Sequence, residues 1–314
     1  MLYRLYNLTV SSEKPLPWVP LSNGTEAEVK IRFKDSCRTS HLSPEWFMKW
    51  ELPDGEPWLN LAKIDGGYLL RFTEFADFFV SDSGNEVEFM PGQPVPEETI
   101  QHLLLDQVIP LVINLRGGEA LHASAIHTSR GVVAFAGPAG SGKSTLAGSF
   151  VKLGYPFISD DCLRLKERDQ NIYAIPAYPG FRLWEDAEKF LFGGNGNHKS
   201  VAHYTSKLRV SVERKPDTYS EEPQPFLRLY DIVRSPETEE NSDIVIKKLS
   251  PRESFMALIR SAFRLDITDR SMLTRQFGFL KRVVSKISIR QLSFPREFKL
   301  LPSVCGSILT DLKD

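Results

Sequence analysis

The chain has 314 residues, of which 25% are charged and 41% are hydrophobic, and its formal net charge is −1. These values are ordinary for a globular protein of one or two domains, and they give no electrostatic reason to expect a nucleic acid or an anionic membrane as partner. Cys37, Cys162 and Cys305 are too far apart for a metal site or a disulfide framework, and the first residues lack a signal-peptide core. We therefore expect a cytoplasmic protein.

The first 95 residues predict a β-rich domain. Residues 28–33 and 68–72 are short runs of β-branched and aromatic side chains, and residues 77–89 predict a hairpin around a Ser-Gly-Asn turn. The proline-rich stretch MPGQPVPEET interrupts this pattern, so we place a domain boundary at residue 95. Residues 96–314 are then predicted to form a second, larger domain of mixed strands and helices.

A helical segment and a pair of strands come next. In ETIQHLLLDQVIPLVINLRG the apolar residues nearly follow a period of 3.6, and Pro110 is expected to kink or divide the helix. The runs EALHASAIHT and GVVAFAG are predicted to pair around a Ser-Arg-Gly turn. Such a hairpin would bring His122 near the loop after the second strand, either as a phosphate ligand or as a histidine satisfied within the sheet.

The loop after the second strand gives the most specific pattern in the chain. Its sequence, GPAGSGKST, fits G-x-x-x-x-G-K-[ST], with a strand entering and a predicted helix over 143–153 leaving. Successive backbone N–H groups of such a loop, together with the helix N-terminus, hold a polyphosphate. Lys143 is predicted to reach the β- and γ-phosphates, and the Ser144 hydroxyl to bind Mg²⁺. The predicted nucleotide-binding residues are Gly137, Pro138, Ala139, Gly140, Ser141, Gly142, Lys143, Ser144 and Thr145.

Two adjacent carboxylates follow a short apolar strand. Asp160 and Asp161 end the run YPFISDD, and adjacent side chains at a strand end point to opposite faces. One carboxylate could accept the proton of an attacking hydroxyl while the other holds Mg²⁺, directly or through water. The alternative is a solvated turn, because aspartates commonly form turns.

The segment 177–209 is where we expect an acceptor to dock. Arg182, Lys207 and Arg209 flank the glycine-rich stretch 193–197, which is predicted to be a flexible lid. An arginine there could neutralise transition-state charge or clamp a peptide carboxylate through two hydrogen bonds. Each of these three residues could also be a solvated charge on a strand.

The C-terminal part is predicted to be helical. The sequence SPRE, residues 250–253, is a capping box with proline at the first helical position. Leu273, Phe277, Leu280 and Val284, spaced 4-3-4, predict the apolar face of the next helix.

The stretch LHASAI…GVVAFAGPAGSGKSTLAGSFVKLGYPFISDD resembles the C-terminal catalytic domain of HPr kinase/phosphorylase. That family combines a histidine-bearing strand, a P-loop and an Asp pair after a strand at similar spacing. Beyond residue 165 the chain lacks the second signature region of the bifunctional enzyme. Instead, the stretches AYPGFRLWEDAEKFL, AFRLDITDR and LSFPREFKLLP resemble stand-alone HPr-kinase-like proteins of bacterial biosynthetic clusters, including the lasso-peptide tailoring kinases.

The resemblance implies an α/β (α+β) P-loop kinase domain with a mixed sheet of the phosphoenolpyruvate-carboxykinase type. The smaller β-rich domain predicted from residues 1–95 would precede it. By the same resemblance Asp160 would be the general base, Asp161 would join Ser144 at the metal, and His122 would contact phosphate beside Lys143. The cofactors would be ATP and Mg²⁺. The partner would be a peptide or protein that carries the acceptor serine, in those relatives at the C-terminus of a precursor peptide, and a homo-oligomer is a further expectation.

Two other function classes stay open at the level of sequence. The chain could be a P-loop NTPase or a nucleotide-gated binding module with no acceptor chemistry. It could also be a small-molecule kinase that uses the same base. Nucleic-acid binding is the least supported class, because the sequence has no basic stripe.

Overall fold

The computed structural model describes residues 1–34, 44–51, 55–194, 198–215, 217–234 and 243–313. Cys37 and the last three residues of the predicted lid, 195–197, lie outside these residues. The chain divides into two compact units, Met1–Gly118 with Arg264–Thr274, and Glu119–Phe263 with Arg275–Asp314. The division at Gly118 differs from the predicted boundary at residue 95, because the helical segment after that point groups with the N-terminal strands.

The first unit is built on one eight-stranded sheet. Its strands are β1 Leu2–Leu5, β2 Leu8–Ser12, β3 Val29–Phe33, β4 Trp46–Glu51, β5 Pro57–Ile64, β6 Gly67–Phe72, β7 Ala76–Ser81 and β8 Glu86–Pro91, in the spatial order β1-β2-β3-β8-β7-β6-β5-β4. The predicted strands at 28–33 and 68–72 are present, and the predicted hairpin is the antiparallel pair β7–β8. Phe78 packs edge-on against Phe72 and Phe89, with ring centroids 5.7 and 5.2 Å apart.

The helical segment of the first unit is divided, as Pro110 predicts. Helix α1, Glu97–Leu103, passes into a π-helical turn, Leu104–Val108, and then into helix α2, Ile109–Leu115. Pro110 lies in the first turn of α2. Proline lacks an N–H and clashes with the carbonyl four residues earlier, so a wider turn before it accommodates the ring. The end of α2 lies close to Gly84. A Cβ added at Gly84 would lie only 3.1 Å from the Leu115 side chain.

The second unit contains the loop and both carboxylates. Its elements are β9 Glu119–Leu121, β10 Ala123–Thr128, β11 Gly131–Ala136, α3 Lys143–Lys152, β12 Phe157–Ser159, β13 Leu163–Arg168, β14 Asn171–Ile175, β15 Gly180–Leu183, α4 Glu185–Phe192, β16 Lys199–Ser200, β17 Leu208–Ser211, β18 Gln224–Ile232, β19 Val245–Lys248, α5 Pro251–Ser261, most of α6 Arg270–Lys286, β20 Ser288–Ser293 and α7 Leu301–Asp311, with a 3₁₀ turn at Phe298–Leu300. Strands β15, β17 and β16 form a separate small sheet.

The main sheet of the second unit is mixed. Strands β10 and β11 form the predicted antiparallel hairpin, whereas β18 runs parallel to β11 on one side and to β20 on the other. The prediction of a mixed α/β architecture is therefore confirmed. Because β11, β18 and β20 are parallel, their carboxyl ends meet at one edge, and the glycine-rich loop leaves the sheet there.

Both faces of this sheet are buried. Phe135 of β11 packs in a cluster with Phe150 of α3 and Val304 of α7, while Ala134 belongs to a cluster with Leu258 of α5 and Val283 of α6. Successive side chains of a strand point to opposite faces. A strand covered on both faces is apolar throughout, which explains the uninterrupted run VVAFA before the loop.

Two predictions about the C-terminal helices have different outcomes. The Ser250 hydroxyl accepts from the Glu253 N–H, and the Glu253 carboxylate accepts from the Ser250 N–H, so the capping box is confirmed. The predicted apolar face of α6 is partly wrong. Leu280 is buried as predicted, whereas Phe277 is 39% exposed, and Val283, which was not predicted, is buried. The 4-3-4 spacing is compatible with two overlapping faces of the helix, and the sequence pattern selects the wrong one.

No helix in the described part of the chain is long and apolar enough to cross a membrane. Within those same residues, no group of three or more His, Cys, Asp and Glu side chains is arranged to hold a metal ion. Cys162 and Cys305 are buried.

Candidate active site

The glycine-rich loop connects β11 to α3 and depends on its glycines for its backbone path. Gly137 has φ 141°, and a Cβ there would lie 2.6 Å from the Ile232 carbonyl oxygen of β18. Gly142, with φ 95°, precedes α3 and gives that helix no side-chain cap. A Cβ on Gly142 would meet no atom of the described residues within 4 Å. The loop thus leaves open space in front of a helix N-terminus, the surroundings that bind phosphate in other proteins.

Lys143 lies within the loop. Its Nζ donates to the carbonyl oxygens of Gly137 and Pro138 at 3.0 and 3.1 Å, and the residue is buried. Burial lowers the pKa of Lys143, while the nearby Asp161 and Asp160 carboxylates act in the opposite direction. The ammonium group is therefore close to both carboxylates and to the space that phosphates would occupy.

Asp160, at the end of β12, joins three elements through its buried carboxylate. Oδ1 accepts hydrogen bonds from the hydroxyls of Ser124 and Ser144 at 2.6 and 2.7 Å, and Oδ2 accepts from the Arg182 backbone N–H at 3.0 Å. These donors lie on β10, α3 and β15. The alternative of a solvated turn does not fit a carboxylate held in this way.

Asp161 has different surroundings. Its φ of 60° is uncommon for a residue other than glycine, and its side chain remains 21% exposed. Oδ2 lies 2.7 Å from Nη2 of Arg182. Burial raises the pKa of Asp161, but the attraction of Arg182, His122, Lys207 and Lys143 outweighs this and holds the pKa well below its usual range. Asp161 is therefore an ionised carboxylate among cations.

His122 lies between β9 and β10, beside the same carboxylates. Its backbone N–H donates to the Ser261 carbonyl at 2.6 Å, and its ring packs edge-on against Phe263 at 5.9 Å. Burial lowers the pKa of His122, although Asp161 opposes the shift. A neutral imidazole at this position can donate one hydrogen bond and accept another.

The two arginines that the sequence predicts to bind an acceptor are buried. Arg182 and Arg209 are direct partners on β15 and β17, and neither is more than 3% exposed. Arg182 binds Asp161 and the Asp160 carbonyl, and Nη1 of Arg209 donates to the Tyr178 hydroxyl at 2.9 Å. These positions do not suit a clamp for an incoming peptide carboxylate.

Lys207 is the member of the predicted trio that stays partly accessible. Its Nζ lies 5.4 Å from the centroid of the Trp184 ring, and it contributes to lowering the pKa of Asp161. Lys207 is thus a cation on the accessible side of the candidate site.

Sequence reasoning missed Ser124. Its hydroxyl makes the shortest hydrogen bond to Asp160, at 2.6 Å. A signal was available, because Ser124 follows His122 by two residues in LHASAIH and strand alternation places both on one face.

Comparison with known proteins finds similarity among solved structures. No protein-family model matches the chain, and no curated protein matches it. The chain is distantly similar to the solved structure of the HPr(Ser) kinase/phosphatase from Coxiella burnetii, with 14% identity, coverage of 62% of this chain and 99% of that chain, and a TM-score of 0.33. A similarity of this size decides neither activity nor substrate.

Proposed function

We propose that the chain is an ATP-dependent kinase that transfers the γ-phosphoryl group to a serine hydroxyl of a peptide or protein. The observation that carries the proposal is the 2.7 Å hydrogen bond from Ser144 to Asp160, beside the open glycine-rich loop. It joins the hydroxyl that would bind Mg²⁺ to a buried carboxylate, and a second ionised carboxylate lies next to it. A simple nucleotide-binding loop does not require that second carboxylate.

The residues present fit ATP and Mg²⁺. The loop 137–142 and the uncapped first turn of α3 would hold the phosphates, with Lys143 at the β- and γ-phosphates. Ser144 and one of the two aspartates offer the oxygen ligands that Mg²⁺ prefers. Bound there, the metal would neutralise charge on the phosphates.

The proposed reaction is a displacement at phosphorus. The serine oxygen bonds to the γ-phosphorus as the bond to the β,γ-bridging oxygen breaks, ADP leaves, and the hydroxyl proton passes to a carboxylate. Arg182 would fix the relative position of the two carboxylates. The neutral His122 can hydrogen-bond to a phosphate oxygen without adding a charge.

The surroundings of the two carboxylates favour one division of roles. Asp160 is buried and bonded to Ser144, which suits the metal side, whereas Asp161 is partly exposed, which suits contact with an acceptor. This is the reverse of the roles implied by the family resemblance, in which Asp160 is the base. Both divisions predict a kinase, and they predict opposite effects of substituting Asp160 and Asp161.

For the acceptor we propose a serine at or near the C-terminus of a peptide, as in the lasso-peptide tailoring kinases that the sequence resembles. The accessible cation is Lys207 rather than the buried arginines, so Lys207 would meet the terminal carboxylate. Such a contact would hold the serine in line with the γ-phosphate.

Mass spectrometry of serine-terminated peptides after incubation with ATP and Mg²⁺ tests the proposal. The free-acid peptide is expected to gain one phosphoryl group, and the C-terminal amide to react about tenfold more slowly, the scale of one lost charge-assisted hydrogen bond. Equal incorporation would remove the carboxylate contact. ATP hydrolysis without labelling of any peptide would favour an NTPase, and labelling within a metabolite panel would favour a small-molecule kinase.

A further inference from the structure

A small cavity lies beside the phosphate-binding loop and extends beyond the residues assigned to the phosphates. It encloses about 230 Å³. Its lining includes the loop residues Gly140 and Gly142, together with Phe294, Phe298 and Leu301. Phe294 and Leu301 belong to the buried cluster that also contains the apolar face of α3. The cavity therefore has an aromatic and aliphatic wall in direct continuity with the loop.

The position of the cavity follows from the sheet. Strand β20 ends at Ser293, and Phe294 is the next residue along the chain. Because β11, β18 and β20 are parallel neighbours, the segment after β20 leaves the same edge of the sheet as the glycine-rich loop. Ligands of open α/β sheets bind outside the carboxyl ends of parallel strands. A ligand that starts on the loop and extends toward β20 would enter this cavity.

We propose that this cavity is the subsite for the adenosine moiety of the nucleotide, with the ring of Phe298 as its stacking surface. The inference rests on the proposed function, which supplies a nucleotide with its phosphates on the loop. Pockets for whole drug-sized ligands enclose about 300–1,000 Å³, so a cavity of 230 Å³ suits one part of a nucleotide. The aromatic side chain is only partly buried and leaves ring surface available.

Polar groups of the cavity match the hydrogen-bonding groups of adenosine. Asp186 and Glu297 line it, and carboxylates can accept hydrogen bonds from an exocyclic amine or a ribose hydroxyl. The Glu297 carboxylate also pairs with the Lys299 ammonium at 2.7 Å. The Ser141 hydroxyl, which also lines it, is buried and has no hydrogen-bond partner among the described residues. Nη1 of Arg296 donates to the Gly140 carbonyl at 2.9 Å and so ties the segment after β20 to the loop.

Calorimetric titration of the full chain with Mg²⁺·ATP and with Mg²⁺·tripolyphosphate separates the base from the phosphates. Phe298→Ala is expected to weaken ATP binding about tenfold, the scale of one lost base–aromatic stack, and to leave tripolyphosphate binding within about twofold. Phe190→Ala is the matched control. Phe190 stacks on Phe298 with centroids 5.2 Å apart but does not line the cavity, so its removal should leave both affinities within about twofold.

Each outcome of the titration is decisive. Unchanged ATP affinity in Phe298→Ala, or an equal loss for both ligands, would overturn the subsite. A wild-type chain that binds tripolyphosphate as tightly as ATP would overturn it while leaving the phosphate loop in place. A wild-type chain that binds neither ligand contradicts the proposed function itself, and the subsite falls with it. Should Phe298→Ala not fold by circular dichroism, Phe298→Leu removes the ring while keeping an apolar side chain, and the same comparison applies.

Discussion

Lys143 is the residue whose substitution tests the phosphate loop most directly. Its ammonium group donates to the carbonyls of Gly137 and Pro138 inside the loop, where a polyphosphate would replace those acceptors. Lys143→Ala is expected to lower phosphoryl transfer by about 100-fold or more, the scale of one preorganised donor to developing charge, and to weaken ATP binding. Initial rates and calorimetry measure the two effects.

Lys152→Ala provides the control for that substitution. Lys152 ends the same helix but is exposed, so its loss should leave both rate and affinity close to wild type. Near-wild-type turnover in Lys143→Ala would take the loop out of the mechanism.

The two carboxylates are separated by a pair of asparagine variants. If Asp161 is the base, Asp161→Asn should lower transfer by about 10²–10⁴-fold with little change in Mg²⁺·ATP binding. Asp160→Asn should then weaken metal-dependent ATP binding, because Ser144 loses its carboxylate partner. Single-turnover rates and titrations with and without Mg²⁺ distinguish these results. The opposite pattern would support the roles implied by the family resemblance, and no effect of either variant would remove both residues from the chemistry.

At the residue level, the sequence predicts which side chains belong to the candidate site better than it predicts which residues they contact. The loop, Asp160 and His122 follow from local patterns, and the structure places them together. The pairing of Arg182 with Asp161 depends on how β15 lies beside the end of β12, which no local pattern specifies. The hydrogen bond from Ser124 to Asp160 spans 36 residues of sequence and is equally non-local.

Among the elements, helix α5 gives a stability prediction. Ser250 accepts the Glu253 N–H, and the Glu253 carboxylate accepts the Ser250 N–H at 2.8 Å. Ser250→Ala should therefore destabilise the protein by about 1 kcal/mol, the typical cost of losing an N-cap side chain. Urea unfolding measures the change. Ser285→Ala, at an exposed position in the last turn of α6, is the control and should change stability by less than about 0.5 kcal/mol.

Element boundaries marked by a specific chemical signal could be predicted from the sequence, and those that depend on packing could not. The capping box fixes where α5 begins, and Pro110 indicates that the preceding helix is interrupted. The form of that interruption, a π-helical turn over Leu104–Val108, depends on how the flanking turns pack. The buried face of α6 likewise depends on its neighbours, since Phe277 satisfies the apolar period and is nevertheless 39% exposed.

At the scale of the whole molecule, the division into units depends on contacts distant in sequence. Asp266 lies in the segment 264–274, which groups with the first unit. Its buried carboxylate accepts a hydrogen bond from the Tyr68 hydroxyl at 2.8 Å and lies 2.7 Å from the Lys63 ammonium. A boundary search along the sequence finds contiguous pieces, so it cannot assign a segment near residue 270 to an N-terminal domain.

A buried glutamate makes the stability of the molecule depend on pH. Burial of Glu119, the first residue of β9, raises its pKa from 4.5 to about 7, although the hydrogen bond from Gln276 opposes the shift. The unfolded chain gives up this proton near pH 4.5 and the folded chain only near pH 7. The contribution of the protonated Glu119 to the free energy of unfolding is therefore fully present below pH 4.5 and is lost as the pH rises to about 7.

Glu119→Gln should remove this dependence, because the amide keeps the hydrogen bond from Gln276 and never ionises. The variant should gain stability relative to wild type between pH 4.5 and 7, by up to about 3 kcal/mol, since each pKa unit corresponds to about 1.4 kcal/mol. Above pH 7 the difference should stay constant. Unfolding curves measured from pH 4 to 8 test this, with the exposed Glu185→Gln as a control that should parallel wild type. Parallel curves for Glu119→Gln and wild type would mean that Glu119 ionises normally in the folded protein.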